Sequence, residues 1–169
     1  MKKTIIAAKS DNDVIGRDQE LAWELPADQH FFFNQIRDCF LLTGRASFES
    51  PQGKDIFANR DDVIIVTRQK KYRAGEKLVA HSVREAFRRA EAAGAERLCI
   101  LGGGEIYRQT IDLADELIIT EIHAQFEGDT YFPPIDPQRW EEDRREDYAA
   151  DQHNPFAYSF VFYKRRFID

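Results

Sequence analysis

Leu98-Cys99-Ile100-Leu101-Gly102-Gly103-Gly104-Glu105-Ile106-Tyr107 decides the fold class. Four apolar residues in succession read as a strand. Three glycines turn the chain, and Glu105-Ile106-Tyr107 opens a helix. A strand apolar at every position is covered on both faces, as in a largely parallel sheet. The glycines let backbone approach a ligand closely, and the helix start offers unpaired N–H groups to an anion. The stretch is not the dinucleotide fingerprint Gly-x-Gly-x-x-Gly, whose third glycine would fall at Tyr107. Alone it reads better as an ordinary tight turn.

Outward from this stretch the same alternation recurs. Thr4–Ala8, Cys39–Leu42, Val63–Thr67, Leu78–Ala80 and Leu117–Ile122 are further short apolar runs that read as strands. Ser82-x-x-Glu85 is a capping-box pattern and Gly94 a stop, which predicts a helix over Ser82–Ala93. A second helix is predicted from Pro26, a residue suited to the first helical position, with Phe32, Phe33 and Ile36 on its buried side. Phe156 to Phe162 alternates aromatic with smaller residues and reads as a last strand, in an antiparallel hairpin with Trp140–Tyr148. The expectation is one α/β domain over residues 1–169. It has three layers: a mixed, mostly parallel sheet, helices on both faces, and a C-terminal antiparallel hairpin.

Composition narrows the function classes. Of the 169 residues, 43% are hydrophobic and 32% charged, the ordinary globular range. No apolar run approaches the ~20 residues that span a bilayer. The N-terminal run Ile5–Ala8 is shorter than the ~7–15 residues of a secretory core. A cytoplasmic protein without a membrane partner is therefore expected; a monomer with no nucleic-acid partner is the accompanying expectation. The net charge of −6 argues against a polyanion, so an anionic ligand must be held by local cations and amides. Cys39 and Cys99 lie in apolar runs without metal-ligand spacing; they read as buried free thiols, and no metal is expected.

Thr43-Gly44-Arg45-Ala46-Ser47 repeats the strand–glycine–helix pattern, and Arg45 can meet a phosphate with a fork of donors. Thr67-Arg68-Gln69 ends the next strand in the same way. Two such turns in one sheet can grip a pyrophosphate from both sides. Arg45 and Arg68 together can neutralise a 2′-phosphate, although each reads equally as solvated surface charge.

The most informative stretch is Trp23-Glu24-Leu25-Pro26-Ala27-Asp28. Asp28 falls in the first turn of the predicted helix, where the helix dipole and free amides favour a negative charge. Most aspartates so placed do nothing more. Trp23, Leu25, Phe31 and Phe32 surround this one in sequence. Turned inward, its carboxylate would sit in an apolar cleft with a raised pKa and a need for a hydrogen-bond donor. A 2-amino-4-oxo-pteridine offers two adjacent N–H donors to such a group.

At this point the chain resembles the dihydrofolate reductase family nearly end to end. The matching pieces are Ile5-Ile6-Ala7-Ala8; Asn12-x-Val14-Ile15-Gly16; Leu21-Ala22-Trp23-x-Leu25-Pro26-x-Asp28; Thr43-Gly44-Arg45-x-Ser47-x-Glu49-Ser50; Ile100-Leu101-Gly102-Gly103-Gly104-x-Ile106-Tyr107; and Thr120-x-Ile122 with Glu127-Gly128-Asp129-Thr130-x-Phe132-Pro133. They stand in the family's order and approximate spacing.

The resemblance implies reduction of 7,8-dihydrofolate by NADPH, with hydride to C6 and a proton to N5. Asp28 would bond the 2-amino group and N3, with Thr120 orienting it. The carbonyls of Ile6 and Leu101 would line the pterin end, and Phe32 would pack on the ring. Ala8 and Ile15 would face the carboxamide of the nicotinamide through their backbones. Tyr107 would lie near the nicotinamide. Gly16, Gly44, Arg45, Ala46, Ser47, Thr67, Arg68, Gly102, Gly103, Gly104, Glu105 and Ile106 would complete the cofactor site. The Gly102–Gly103 bond would be cis. The loop Asp11–Glu24 would close over the site, with Asp129 anchoring it. Arg60 is the candidate for the substrate's α-carboxylate.

Departures from the family pattern are Ala22 for a common proline, Gln29 for an apolar residue, Phe40 for a proline, and the unmatched Pro51–Asp62. Glu105 also stands where some relatives carry a cation. A reductase of the same fold acting on a ribosylaminopyrimidine would need no Trp23–Asp28 pocket. A non-catalytic nucleotide-binding module would need no carboxylate at the pterin end.

Overall fold

The structure, a computed structural model, describes residues 1–16 and 23–167. The chain runs through β1 (Lys2–Ser10), β2 (Val14–Gly16), α1 (Pro26–Ile36), β3 (Phe40–Gly44), α2 (Arg45–Glu49), α3 (Pro51–Phe57), β4 (Val63–Val66) and β5 (Leu78–Ala80). It continues with α4 (Val83–Ala92), β6 (Arg97–Ile100), α5 (Gly104–Thr110), β7 (Glu116–Ile122), β8 (Thr130–Tyr131), β9 (Trp140–Tyr148) and β10 (Tyr158–Arg165). Eight strands form one sheet in the order β5-β4-β3-β6-β1-β7-β10-β9, and β2 pairs with β8 in a small second sheet.

The sheet is parallel from β5 through β7, and β10 and β9 add antiparallel. Side chains alternate across it with the strand period of two. Ile5, Leu42, Ile64, Leu98, Ile100, Leu117 and Ile119 pack with Val83, Ala86 and Ala90 of α4 and Ile106 of α5. Ile6, Leu41, Val63, Ile65, Cys99 and Ile118 face the other way, onto Ile36 of α1 and Phe57 of α3. The strands are apolar at both parities because both faces are covered. No helix among the described residues is long and apolar enough to cross a membrane.

Local signals act where they stand in the sequence. Ser82 Oγ accepts from Glu85 N at 3.0 Å, and the Glu85 carboxylate reaches back to His81 N at 3.0 Å, one residue beyond the N-cap amide of the usual capping box. Ser50 ends α2 and caps α3, accepting from Gly53 N at 3.0 Å. One expectation fails: Phe33 is 46% exposed, whereas Ile36 is buried and Phe32 half-buried. Successive helical residues turn by about 100°, so the run Phe31-Phe32-Phe33 cannot face one side. Phe31 takes the sheet, stacking on Phe160.

Candidate active site

The parallel order places the C-terminal ends of β3, β4 and β6 side by side, where open α/β sheets bind ligands. Gly44 N donates to Gly102 O at 2.8 Å and Thr43 Oγ1 donates to the same oxygen at 3.1 Å, so the two glycine turns are joined directly. The Gly102–Gly103 peptide is cis. Gly102 has φ +94°, and a Cβ there would stand 2.7 Å from the Tyr107 ring. A Cβ on Gly44 would meet Ile106 at 3.1 Å, one on Gly103 would meet Ser47 Oγ at 3.2 Å, and one on Gly104 would meet Thr130 at 2.8 Å. Side chains at these positions would collide with neighbours, so the two turns pack with backbone in close approach.

Arg45 lies at the rim and pairs with Glu49 at 3.0 Å. Thr67 is buried, its N donating to Ala80 O at 3.0 Å. Glu105 is exposed; Arg108 above all, then Gln109 and the more distant Arg68, hold its carboxyl below the usual range. That places Arg68 within electrostatic reach of the α5 start.

Tyr107 is buried and donates its hydroxyl to Ile6 O at 2.8 Å, tying α5 to β1. Burial first, then the nearby Asp28 charge, raises its pKa, so it remains a neutral donor.

Asp28 is 8% exposed, in the first turn of α1. Thr120 Oγ1, from β7, donates to its Oδ1 at 2.7 Å. Burial pushes the carboxyl up to about 6, and the Thr120 bond opposes that rise. No described residue hydrogen-bonds Oδ2. Ala8 stands opposite Thr120 in the β1–β7 register. Leu101 follows β6, its N donating to Leu42 O at 2.9 Å, and Phe32 packs at the edge of the Ile6–Ile118 cluster. The structure thus brings Ile6, Asp28, Tyr107 and Thr120 together from four elements.

Arg60 is three-quarters or more buried and internally engaged. Its Nε donates to Asp62 at 2.9 Å, Nη1 to Ile36 O at 2.6 Å, and Nη2 to Asp62 at 2.7 Å and to Cys39 O. Near the expected loop, Gly16 O accepts from Asp129 N at 3.2 Å, and Ile15 packs at the margin of the core. Residues 17–22 of that loop, with Leu21 and Ala22, lie outside the described residues.

In the sequence Trp23 reads only as an apolar neighbour of Asp28, not as a polar group of the site. Its Nε1 is the one buried side-chain nitrogen or oxygen among the described residues with no hydrogen-bond partner. The indole donor beside the apolar Leu25 was the available signal, because a buried Trp N–H ordinarily finds a partner.

The family model for dihydrofolate reductase matches residues 2–165. A dihydrofolate reductase of Neisseria meningitidis is 36% identical over 165 residues, covering 98% of this chain and 99% of that protein. One of Staphylococcus haemolyticus is 32% identical over 98% of this chain and 96% of its own. Among solved structures, dihydrofolate reductase from Enterococcus faecalis complexed with NADP(H) and RAB-propyl superposes with a TM-score of 0.85. It is 34% identical, over 98% of this chain and 97% of that one.

Proposed function

The chain belongs to the dihydrofolate reductase family, and we propose how its residues divide the work of that activity. It is an NADPH-dependent oxidoreductase that reduces 7,8-dihydrofolate to 5,6,7,8-tetrahydrofolate, supplying one-carbon metabolism.

One observation carries the assignment of roles: a carboxylate 8% exposed, satisfied on one oxygen by Thr120 and on the other by no described residue. Such a group needs donors. The 2-amino group and N3–H of a pterin supply two, side by side. Asp28 then anchors the ring, Thr120 fixes the carboxyl plane, and the carboxylate's negative charge beside N3–H raises the basicity of N5, which takes its proton from water. The carbonyls of Ile6 and Leu101 line the pterin end, and Phe32 covers the ring. The Trp23 N–H adds a buried donor at the head of α1.

The residues present fit NADPH: the glycine turns at Gly44 and at Gly102 to Gly104 meet where β3 and β6 end, bare of side chains of their own. Bound there, NADPH would supply the hydride for C6 of the pterin. Ala46, Ser47, Thr67, Glu105 and Ile106 would help hold its phosphates, Arg45 and Arg68 would meet the 2′-phosphate, and Ala8, Ile15, Gly16 and Tyr107 would hold the nicotinamide end. Arg60 meets the substrate's α-carboxylate with the Nη1 hydrogen its internal bonds leave over.

We further propose a single-domain cytoplasmic monomer that binds no nucleic acid. One sheet incorporates strands from both ends of the described chain. The two buried cysteines are free, which suits a reducing compartment. The net charge of −6 opposes a polyanion.

The test is oxidation of NADPH by dihydrofolate, followed by absorbance, in the wild type and Asp28→Asn. The variant should lose most turnover at neutral pH and recover part of it at low pH, where substrate arrives protonated. A pH–rate profile identical to the wild type's would remove Asp28 from the chemistry.

A further inference from the structure

The helix that carries Asp28 has no cap of its own. Leu25 holds the N-cap position with an apolar side chain that makes no cap bond, and it is buried among Trp23, Val14 and Ile122. A helix start leaves N–H groups without helical acceptors, and a buried one must find a partner elsewhere. The N–H of Ala27 finds Asn154, whose Oδ1 accepts it at 2.9 Å from 127 residues away.

Asn154 lies in the connection between β9 and β10 and is 7% exposed. Asp151 fixes it there. Asn154 N and Nδ2 donate to Asp151 Oδ1 at 2.7 and 3.1 Å, His153 N donates to the same oxygen at 2.8 Å, and Asp151 N donates to Asn154 O at 2.8 Å. With the amide NH2 engaged by the carboxylate, the amide oxygen is turned to α1.

The same hairpin holds α1 a second time. Phe31 lies flat on Phe160, centroids 3.8 Å apart and planes 8° from parallel, and Phe160 stands opposite Thr120 in the β10–β7 register. Asp28 lies between these two attachments.

We infer that Asn154 is a positioning residue for dihydrofolate reduction: by capping Ala27 it sets where the neighbouring Asp28 carboxylate stands relative to Thr120. The inference rests on Asp28 being the pterin-binding carboxylate. Asn154 works at a distance from substrate. The N-cap position is given to a core leucine, and the capping is delegated to the hairpin.

The experiment compares Asn154→Ala, Asp151→Ala and the exchange Asp151→Asn/Asn154→Asp, which returns an acceptor to position 154 and an amide to position 151. kcat, KM for dihydrofolate and Tm are measured at saturating NADPH from about pH 5 to about pH 9, bracketing the carboxyl's titration. Asn154→Ala should lower kcat roughly 10- to 100-fold, the scale of a misplaced catalytic group. It should also move the kinetic pKa of Asp28 down toward the ordinary carboxylate range as the first turn opens to water. Asp151→Ala should do the same in smaller measure, and the exchange should restore both. A lower Tm with kcat and kinetic pKa unmoved would overturn the inference, leaving Asn154 a structural residue only. If Asn154→Ala does not fold, the exposed Asp151→Ala decides by the same criteria. Asp28→Asn is run beside them. If it leaves the kinetic pKa in place, the reading of Asp28 fails first and the inference falls with it. If it abolishes that pKa while the Ala variants keep it, the inference alone fails.

Discussion

The Thr120 hydroxyl donates to Asp28 Oδ1 across 2.7 Å, joining β7 to the first turn of α1 over 92 residues of chain. The bond favours the ionised carboxyl, and burial opposes it. Thr120→Val keeps the shape and removes the bond. A hydrogen bond to a charged group is worth about 1.5–3 kcal/mol, so the kinetic pKa of Asp28 should rise by about one to two units. The pH dependence of kcat/KM reads this directly. A limb that stays in place would separate Thr120 from Asp28.

Burial of Asp28 also has a price in stability. Its carboxyl titrates at about 6 in the folded protein, against an ordinary value of 3.8. Between those values the folded chain holds a proton that the unfolded chain has released, so stability falls as pH rises through the window. At pH 7 the ionised group destabilises the fold by about 3 kcal/mol. Asp28→Asn cannot ionise. In urea titrations it should be more stable than the wild type at neutral pH, by up to about 3 kcal/mol, with the gain gone below about pH 4. The same difference at both pH values would contradict the burial argument.

Both predictions depend on a contact that local sequence could only suggest. Pro26 and Ser82 announced their helices because their effects are local. Leu98, Cys99 and Ile100 announced a doubly covered strand because both parities were apolar. The outward turn of Phe33 was hidden, since three aromatics in a row do not say which one the sheet will take. Asn154 was hidden more deeply: nothing near it in sequence refers to Ala27, and the link exists only once the hairpin closes. Arg60 stood out as a cation, but its carbonyl partners at Ile36 and Cys39 are set by the tertiary fold.

Arg45 is tied to Glu49 at 3.0 Å on an exposed rim. Arg45→Ala should weaken NADPH by about 10- to 100-fold, the worth of a charge-assisted hydrogen bond, and leave NADH nearly unchanged. Fluorescence titration with each cofactor distinguishes the cases. Equal losses would place Arg45 away from the 2′-phosphate.

Gly102 has φ +94° and the Tyr107 ring 2.7 Å from any added Cβ, whereas Gly94 has φ +88° and nothing within 4 Å. Gly94→Ala therefore carries only the conformational cost, about 1–2 kcal/mol. Gly102→Ala adds a steric conflict and should cost about 3 kcal/mol or more. It should also displace the Tyr107 hydroxyl from Ile6 and weaken cofactor binding. Thermal unfolding and NADPH titration of the two variants check this. Equal destabilisation would mean that the Tyr107 ring yields freely.

The order of strands has a consequence for biosynthesis. β1 is translated before its neighbours yet lies in the interior of the sheet, and its partners β6 and β7 begin only at Arg97 and Glu116. At common elongation speeds the ribosome needs roughly 5–20 s to reach them. For that time a nascent segment with greasy side chains on both sides has neither neighbour, so the middle of the sheet closes only once β6 and β7 have emerged.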